Sequence, residues 1–170
     1  GGRGRGDSGP LNRAESLLRL REYYGPAIAR CGSQPVLYST WGRQRGQVNA
    51  NAPEYATFDG MLRCLTDGVR EYSAVIHQSM AEHVGGVAPP RLAPAGKAFS
   101  LIHADREAIV HFDRLYVADE SHPDFPGSYL VALVFFAVLT GRSPVRIALR
   151  YRAPAVSVKR PVQLFWLPTH

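Results

Sequence analysis

Asp119 and His122 stand three residues apart in Asp119-Glu120-Ser121-His122-Pro123, at the heart of a polar stretch that precedes a strongly apolar run. A carboxylate and an imidazole at that spacing fit on one turn. The carboxylate then fixes the imidazole tautomer and stabilises its cation, while the imidazole takes a proton from a hydroxyl nucleophile and later returns it. The plainer reading of the same residues is a surface turn in which Asp119 or Ser121 bonds the local backbone and His122 is solvated.

A hydrolase also needs the hydroxyl. Ser8 lies in Gly6-Asp7-Ser8, but Gly1 to Arg5 precede it, a stretch unable to pack as the central strand that would aim its side chain. Ser39 and Thr40 end an apolar run and Ser121 lies between the paired residues; strand-end capping or turn bonding accounts for each. Trp41 and Arg43, with Arg45, follow that run where a ligand-binding edge would lie, as substrate-binding residues able to hold an anionic group or as a solvated loop. His111, Asp113, Asp119, His122 and Asp124 include ligand types for a metal, yet their spacing matches no helix-borne or finger-type pattern. The segment Gly96-Lys97-Ala98 lacks the hydroxyl and upstream glycine of a phosphate loop. No metal and no cofactor is indicated. Cys31 and Cys64 have neither redox-pair nor zinc spacing and read as buried free thiols.

The elements that must carry these residues alternate. Leu11 to Ile28 has helical periodicity, interrupted at Gly25-Pro26 and closed by Gly32. Pro35 to Trp41 reads as an interior parallel strand covered on both faces, and Gly42 to Pro53 as a polar loop. Pro53 to Met80 is a long helix ending by Gly85-Gly86; Val87-Ala88-Pro89 is a short strand or extended connection; Ala95 to Ala104 is a helix. Gly127 to Gly141 is apolar nearly all round and reads as a buried helix stopped by Gly141. The order implies an α/β domain over 11–144, after a flexible Gly/Arg-rich leader over 1–10. A basic, proline-containing tail over 145–170 forms two short strands (146–151 and 162–166) or an extended arm.

Composition narrows the class. With 170 residues, 45% of them apolar, the chain has the size of one ordinary globular domain. Its 20 Lys+Arg against 14 Asp+Glu give +6, but the arginines are scattered and no recognition motif accompanies them, so solvated surface is favoured over a nucleic-acid face. The longest apolar run, Tyr129 to Leu139, is shorter than the ~20 residues a bilayer needs, and no signal peptide is visible. The expectation is a soluble protein with no membrane partner.

Four blocks in order sharpen the reading: Pro35-Val36-Leu37-Tyr38-Ser39-Thr40-Trp41-Gly42-Arg43; Tyr55-x-x-Phe58-x-Gly60-Met61; Ala81-Glu82-His83 leading to Val87-Ala88-Pro89; and Ala118 to Pro144, with Asp119-x-x-His122-Pro123 and Gly127-Ser128-Tyr129-Leu130. Together they resemble the C-terminal half of an SGNH (GDSL-type) hydrolase. The resemblance implies a partial doubly wound, flavodoxin-like three-layer sandwich with a mainly parallel sheet. It implies His122 as general base, Asp119 as its orienting carboxylate, and an ester, such as an acetyl group on carbohydrate, as substrate. The family's nucleophile block, a strand followed by Gly-Asp-Ser or Gly-Asn-Ser, and its oxyanion glycine and asparagine have no counterpart in such a setting here. The nucleophile is then Ser8, a residue of upstream chain, or lost. In the last case the chain is an inactive module acting in binding or assembly, with a protein partner or oligomer covering the exposed sheet edge.

Overall fold

The structure, a computed structural model, describes residues 11–48 and 52–145. The leader with Ser8 and the strands expected at 146–151 and 162–166 lie outside the described residues. The described chain is mixed α/β and mostly helical, with a two-stranded parallel sheet. In order it forms α1 (Leu11–Arg19), a π-helical turn (Leu20–Tyr24), α2 (Gly25–Cys31), β1 (Val36–Ser39), α3 (Phe58–His83), β2 (Arg91–Pro94), α4 (Ala95–Ala104) and α5 (Phe125–Thr140), with 3-10 turns at Pro53–Ala56 and Phe112–Leu115.

Local chemistry sets several boundaries apart from the sequence expectation. The break expected at Gly25-Pro26 is a widened turn: Pro26 has no N–H and its ring would press on the carbonyl four residues back, and the Gly25 N–H instead bonds the Leu20 carbonyl. The long helix expected from Pro53 is split at Thr57, which is extended (φ −128°, ψ 156°). Its hydroxyl accepts from the Gly60 N–H at 3.1 Å and caps α3. Of the two alternatives at Val87-Ala88-Pro89, strand or connection, the structure has a connection: Pro89 and Pro90 carry no N–H for a ladder, Arg91 N–H bonds the Pro35 carbonyl at 2.9 Å, and β2 starts there. Among the described residues β1 is not covered on both faces: Val36 and Leu37 are half-buried and Tyr38 is exposed.

The helix expected from Gly127 begins at Phe125, capped by Asp124, whose carboxylate accepts from the Phe125 N–H at 2.7 Å, with Pro126 in the first turn. Gly141 ends it in the left-handed region (φ 67°), as its lack of a Cβ allows. One face is buried, through Gly127, Leu130 and Leu133, whereas Leu139 is exposed, so α5 is not enclosed all round by the described residues. The cysteines also differ from expectation: Cys31 is exposed and Cys64 half-buried, both as free thiols.

The described residues fall into two compact units, 11–38 with 66–92 and 39–48, 52–65 with 93–145. In the first, Ala29, Ile76 and Met80 form a small core with Leu20, Ile28, Leu37 and Val87 against it. The fully buried Ser79 hydroxyl donates to the Arg21 carbonyl. In the second, Phe58, Leu62, Ala98, Phe99, Leu115, Tyr116 and Leu130 form the core that carries the polar turn. Its rings interlock: Trp41 stacks on Phe99 (centroids 4.9 Å, 11°), and Tyr116 meets Phe99 edge-on (5.5 Å, 76°). No helix among the described residues is long and apolar enough to cross a membrane.

Candidate active site

Asp119 and His122 sit at the tip of a tight hairpin over 115–124. Tyr116 and Pro123 form an antiparallel bridge, Asp124 N–H bonds the Leu115 carbonyl (2.9 Å), and Val117 N–H bonds the His122 carbonyl (3.0 Å). Glu120 N–H closes the tip onto the Val117 carbonyl at 3.0 Å, and Glu120 itself takes φ 58°, a left-handed conformation that a residue with a Cβ adopts only when its surroundings fix it. The base of the hairpin is pinned to α5. A Cβ on Gly127 would run into the Leu115 carbonyl oxygen and meet Pro123 Cβ at 3.0 Å. Gly127→Ala is therefore expected to lower stability by about 1–3 kcal/mol through overpacking, read as a fall in Tm.

The carboxylate of Asp119 is fully engaged. Oδ1 accepts from the N–H groups of Ser121 and His122, each at 2.9 Å, and Oδ2 lies 2.6 Å from His122 Nδ1. These bonds, the His122 backbone N–H foremost, then the His122 ring and the Ser121 N–H, bring its pKa down from 3.8 to about 2. Asp119 is thus an anion at neutral pH and only an acceptor, so the proton on Nδ1 belongs to His122. In the neutral ring this leaves the lone pair on Nε2, and the structure gives Nε2 no partner among the described residues. With the His122 side chain 77% exposed, that lone pair is open to an incoming group.

The lowered acidity carries a stability consequence. Because the folded value lies below the ordinary one, ionised Asp119 favours the folded state; this contribution is complete well above 3.8 and is lost as the pH falls through about 2. Acid titration of stability in Asp119→Asn is expected to be flatter over that window than in the unaltered protein, measured by urea unfolding at stepped pH.

The hairpin tip is also held from the loop after β1. Trp41 Nε1 donates to the Ser121 carbonyl at 3.0 Å, Gln44 N–H to the Glu120 carbonyl at 2.8 Å, and Arg45 pairs with Glu120 (Nε to Oε1 3.1 Å). In the other direction the buried Tyr116 hydroxyl donates to the Gly42 carbonyl at 2.7 Å. Burial pushes the Tyr116 phenol above its ordinary value, keeping it a neutral donor.

No protein-family model, no curated protein and no solved structure matches the chain.

Of the residues singled out in the sequence, the structure brings Asp119 and His122 together. It packs the half-buried Trp41 ring against Phe99 and gives its N–H to the Ser121 carbonyl of the hairpin. Arg43 is exposed, with its backbone N–H on the Met61 sulfur at 3.3 Å. Among the described residues no three of His, Cys, Asp and Glu converge as ligands for a metal ion. An open cavity of about 250 Å³ is lined by Pro53, Glu54, Thr57, Gly60, Arg63 and Cys64 and contains neither residue of the pair. Sequence reasoning missed Tyr116, Gln44 and Glu120. The signal available for Tyr116 was an aromatic with a hydroxyl beside a leucine just upstream of a polar turn; nothing local signals the backbone donor of Gln44.

Proposed function

We propose that this chain is an SGNH-type serine hydrolase-like protein of ester-hydrolase lineage, with His122 as general base and Asp119 as the carboxylate that orients it. The observation that carries the reading is the 2.6 Å contact between Asp119 Oδ2 and His122 Nδ1, with Nε2 turned outward from an ionised partner. The order of β1, α3, β2, α4 and α5 agrees with the back portion of a doubly wound three-layer sandwich, the finer architecture the reading requires. Nε2 takes the proton of a serine hydroxyl as that oxygen attacks an ester carbonyl, and returns it to the departing alkoxide; water then repeats the sequence on the acyl-enzyme. Ser8 is the serine this sequence offers in a Gly-Asp-Ser context. Esters of small acyl groups, including acetyl groups on carbohydrate, are the substrate class.

A second reading draws on the exposure of the pair, 77% for His122 and 49% for Asp119: catalysis gains from water exclusion, and a turn this open also suits an inactive module that binds a partner. Hydrolysis of 4-nitrophenyl acetate and of acetylated xylan by the full chain separates the two. Turnover that is lost in His122→Ala is expected of the enzyme. Folded protein without turnover, or turnover indifferent to His122, rules it out.

A further inference from the structure

Two successive peptide planes join Asp119's neighbours to His122, and each is held at both edges. In the Glu120–Ser121 unit the carbonyl accepts from Gln44 N–H (2.8 Å) and the N–H donates to Asp119 Oδ1 (2.9 Å). In the Ser121–His122 unit the carbonyl accepts from Trp41 Nε1–H (3.0 Å) and the N–H donates to the same oxygen (2.9 Å). A peptide is planar and trans, so its C=O and N–H point in opposite directions. Neither plane can rotate without giving up a bond on one side or the other.

We propose that Trp41 is a positioning residue for the Asp119–His122 pair, and that 41–45 is a strap that fixes the two peptide planes of the tip and, through them, the orientation of the His122 ring. The catalytic consequence rests on the hydrolase reading; the geometry and the acidity do not. The indole is itself aimed by the core, since its ring stacks on the fully buried Phe99. Order therefore passes from Phe99 to Trp41, to the Ser121 carbonyl, and through one peptide to Asp119. The chain is also electrostatic. A carbonyl that accepts a hydrogen bond polarises its own peptide, making the N–H at the far edge a stronger donor. Both N–H groups that keep Asp119 ionised are strengthened in this way from the strap. Arg45 pairs with Glu120, the one tip residue among the described residues in the left-handed region apart from glycine, where the chain reverses to bring both N–H groups onto one oxygen.

The test is the ionisation of Asp119, followed by carboxyl ¹³C NMR, with the His122 ring nitrogens read in parallel. Trp41→Phe keeps an aromatic ring over Phe99 and removes the N–H; benzothienylalanine at the same position keeps the bicyclic shape and removes only the donor. In both, the Asp119 midpoint is expected to rise from about 2 by roughly half a pH unit or more, with the ring signals of His122 broadened. Tyr116→Phe removes a hydrogen bond to the same loop, at Gly42, that touches neither peptide plane; it is expected to lower Tm and leave the Asp119 midpoint in place. An unchanged midpoint in folded Trp41 variants overturns the proposal, as does an equal rise in Tyr116→Phe, which would mark mere loosening of the loop. Absence of ester hydrolysis in the unaltered protein overturns the hydrolase reading alone, because the midpoint comparison uses no substrate.

Discussion

Ester hydrolysis falls by about 10⁴-fold when His122 is replaced by alanine, and Asp119→Asn comes close to the same loss, if the pair works as a base and its orienting carboxylate. The two losses have different physical origins. His122→Ala removes the acceptor for the serine proton. Asp119→Asn keeps the size of the side chain but offers an amide that can donate, so His122 is free to place its proton on Nε2, where it blocks attack. The double variant is expected to be little worse than either single one, because the groups act as a unit. Steady-state kcat/KM on an acetyl ester, with fold verified by circular dichroism, checks all three. Independent, multiplying losses would mean that the residues do not share one proton path.

The largest effect on stability is expected at Phe99, which is completely buried between Trp41 and Tyr116. Phe99→Ala removes a ring from a packed aromatic cluster and leaves a cavity that those neighbours only partly fill, a loss of about 3–5 kcal/mol. Urea unfolding measures it, and the slope of the transition should stay unchanged if only packing is lost. Phe99→Leu retains most of the volume and should lose markedly less. Because Phe99 supports Trp41, the alanine variant should also disturb the hairpin tip, which lies far from it in sequence.

How much of this was legible in the chain depends on the range of the interaction. Asp119 and His122 were readable because their contact is local: three residues on one turn suffice, and the residue types state the chemistry. α4 was readable for the same reason, its apolar period running unbroken from Ala95 to Ala104. Element starts beside prolines depend on hydrogen bonds that the pattern alone does not display. Pro89-Pro90 postpones β2 to Arg91, and the Asp124 cap with Pro126 advances α5 to Phe125. The role of Trp41 was not readable. Its residue type and place at a strand end say nothing of a carbonyl 80 positions away, and only the fold reveals that its N–H donates there. Among the described residues α5 is buried on one face, less than its hydropathy suggested, because hydropathy registers apolar side chains and not what lies against them.

The most direct measurement of the central claim is labelling of the full chain by a fluorophosphonate, which forms a covalent bond with a serine only when a base activates it. The account predicts one labelled serine, mapped by peptide mass, whose labelling disappears in His122→Ala and is strongly reduced in Asp119→Asn; Ser8→Ala decides whether Ser8 is that residue. Folded protein that takes up no label, or takes it up equally without His122, would contradict it.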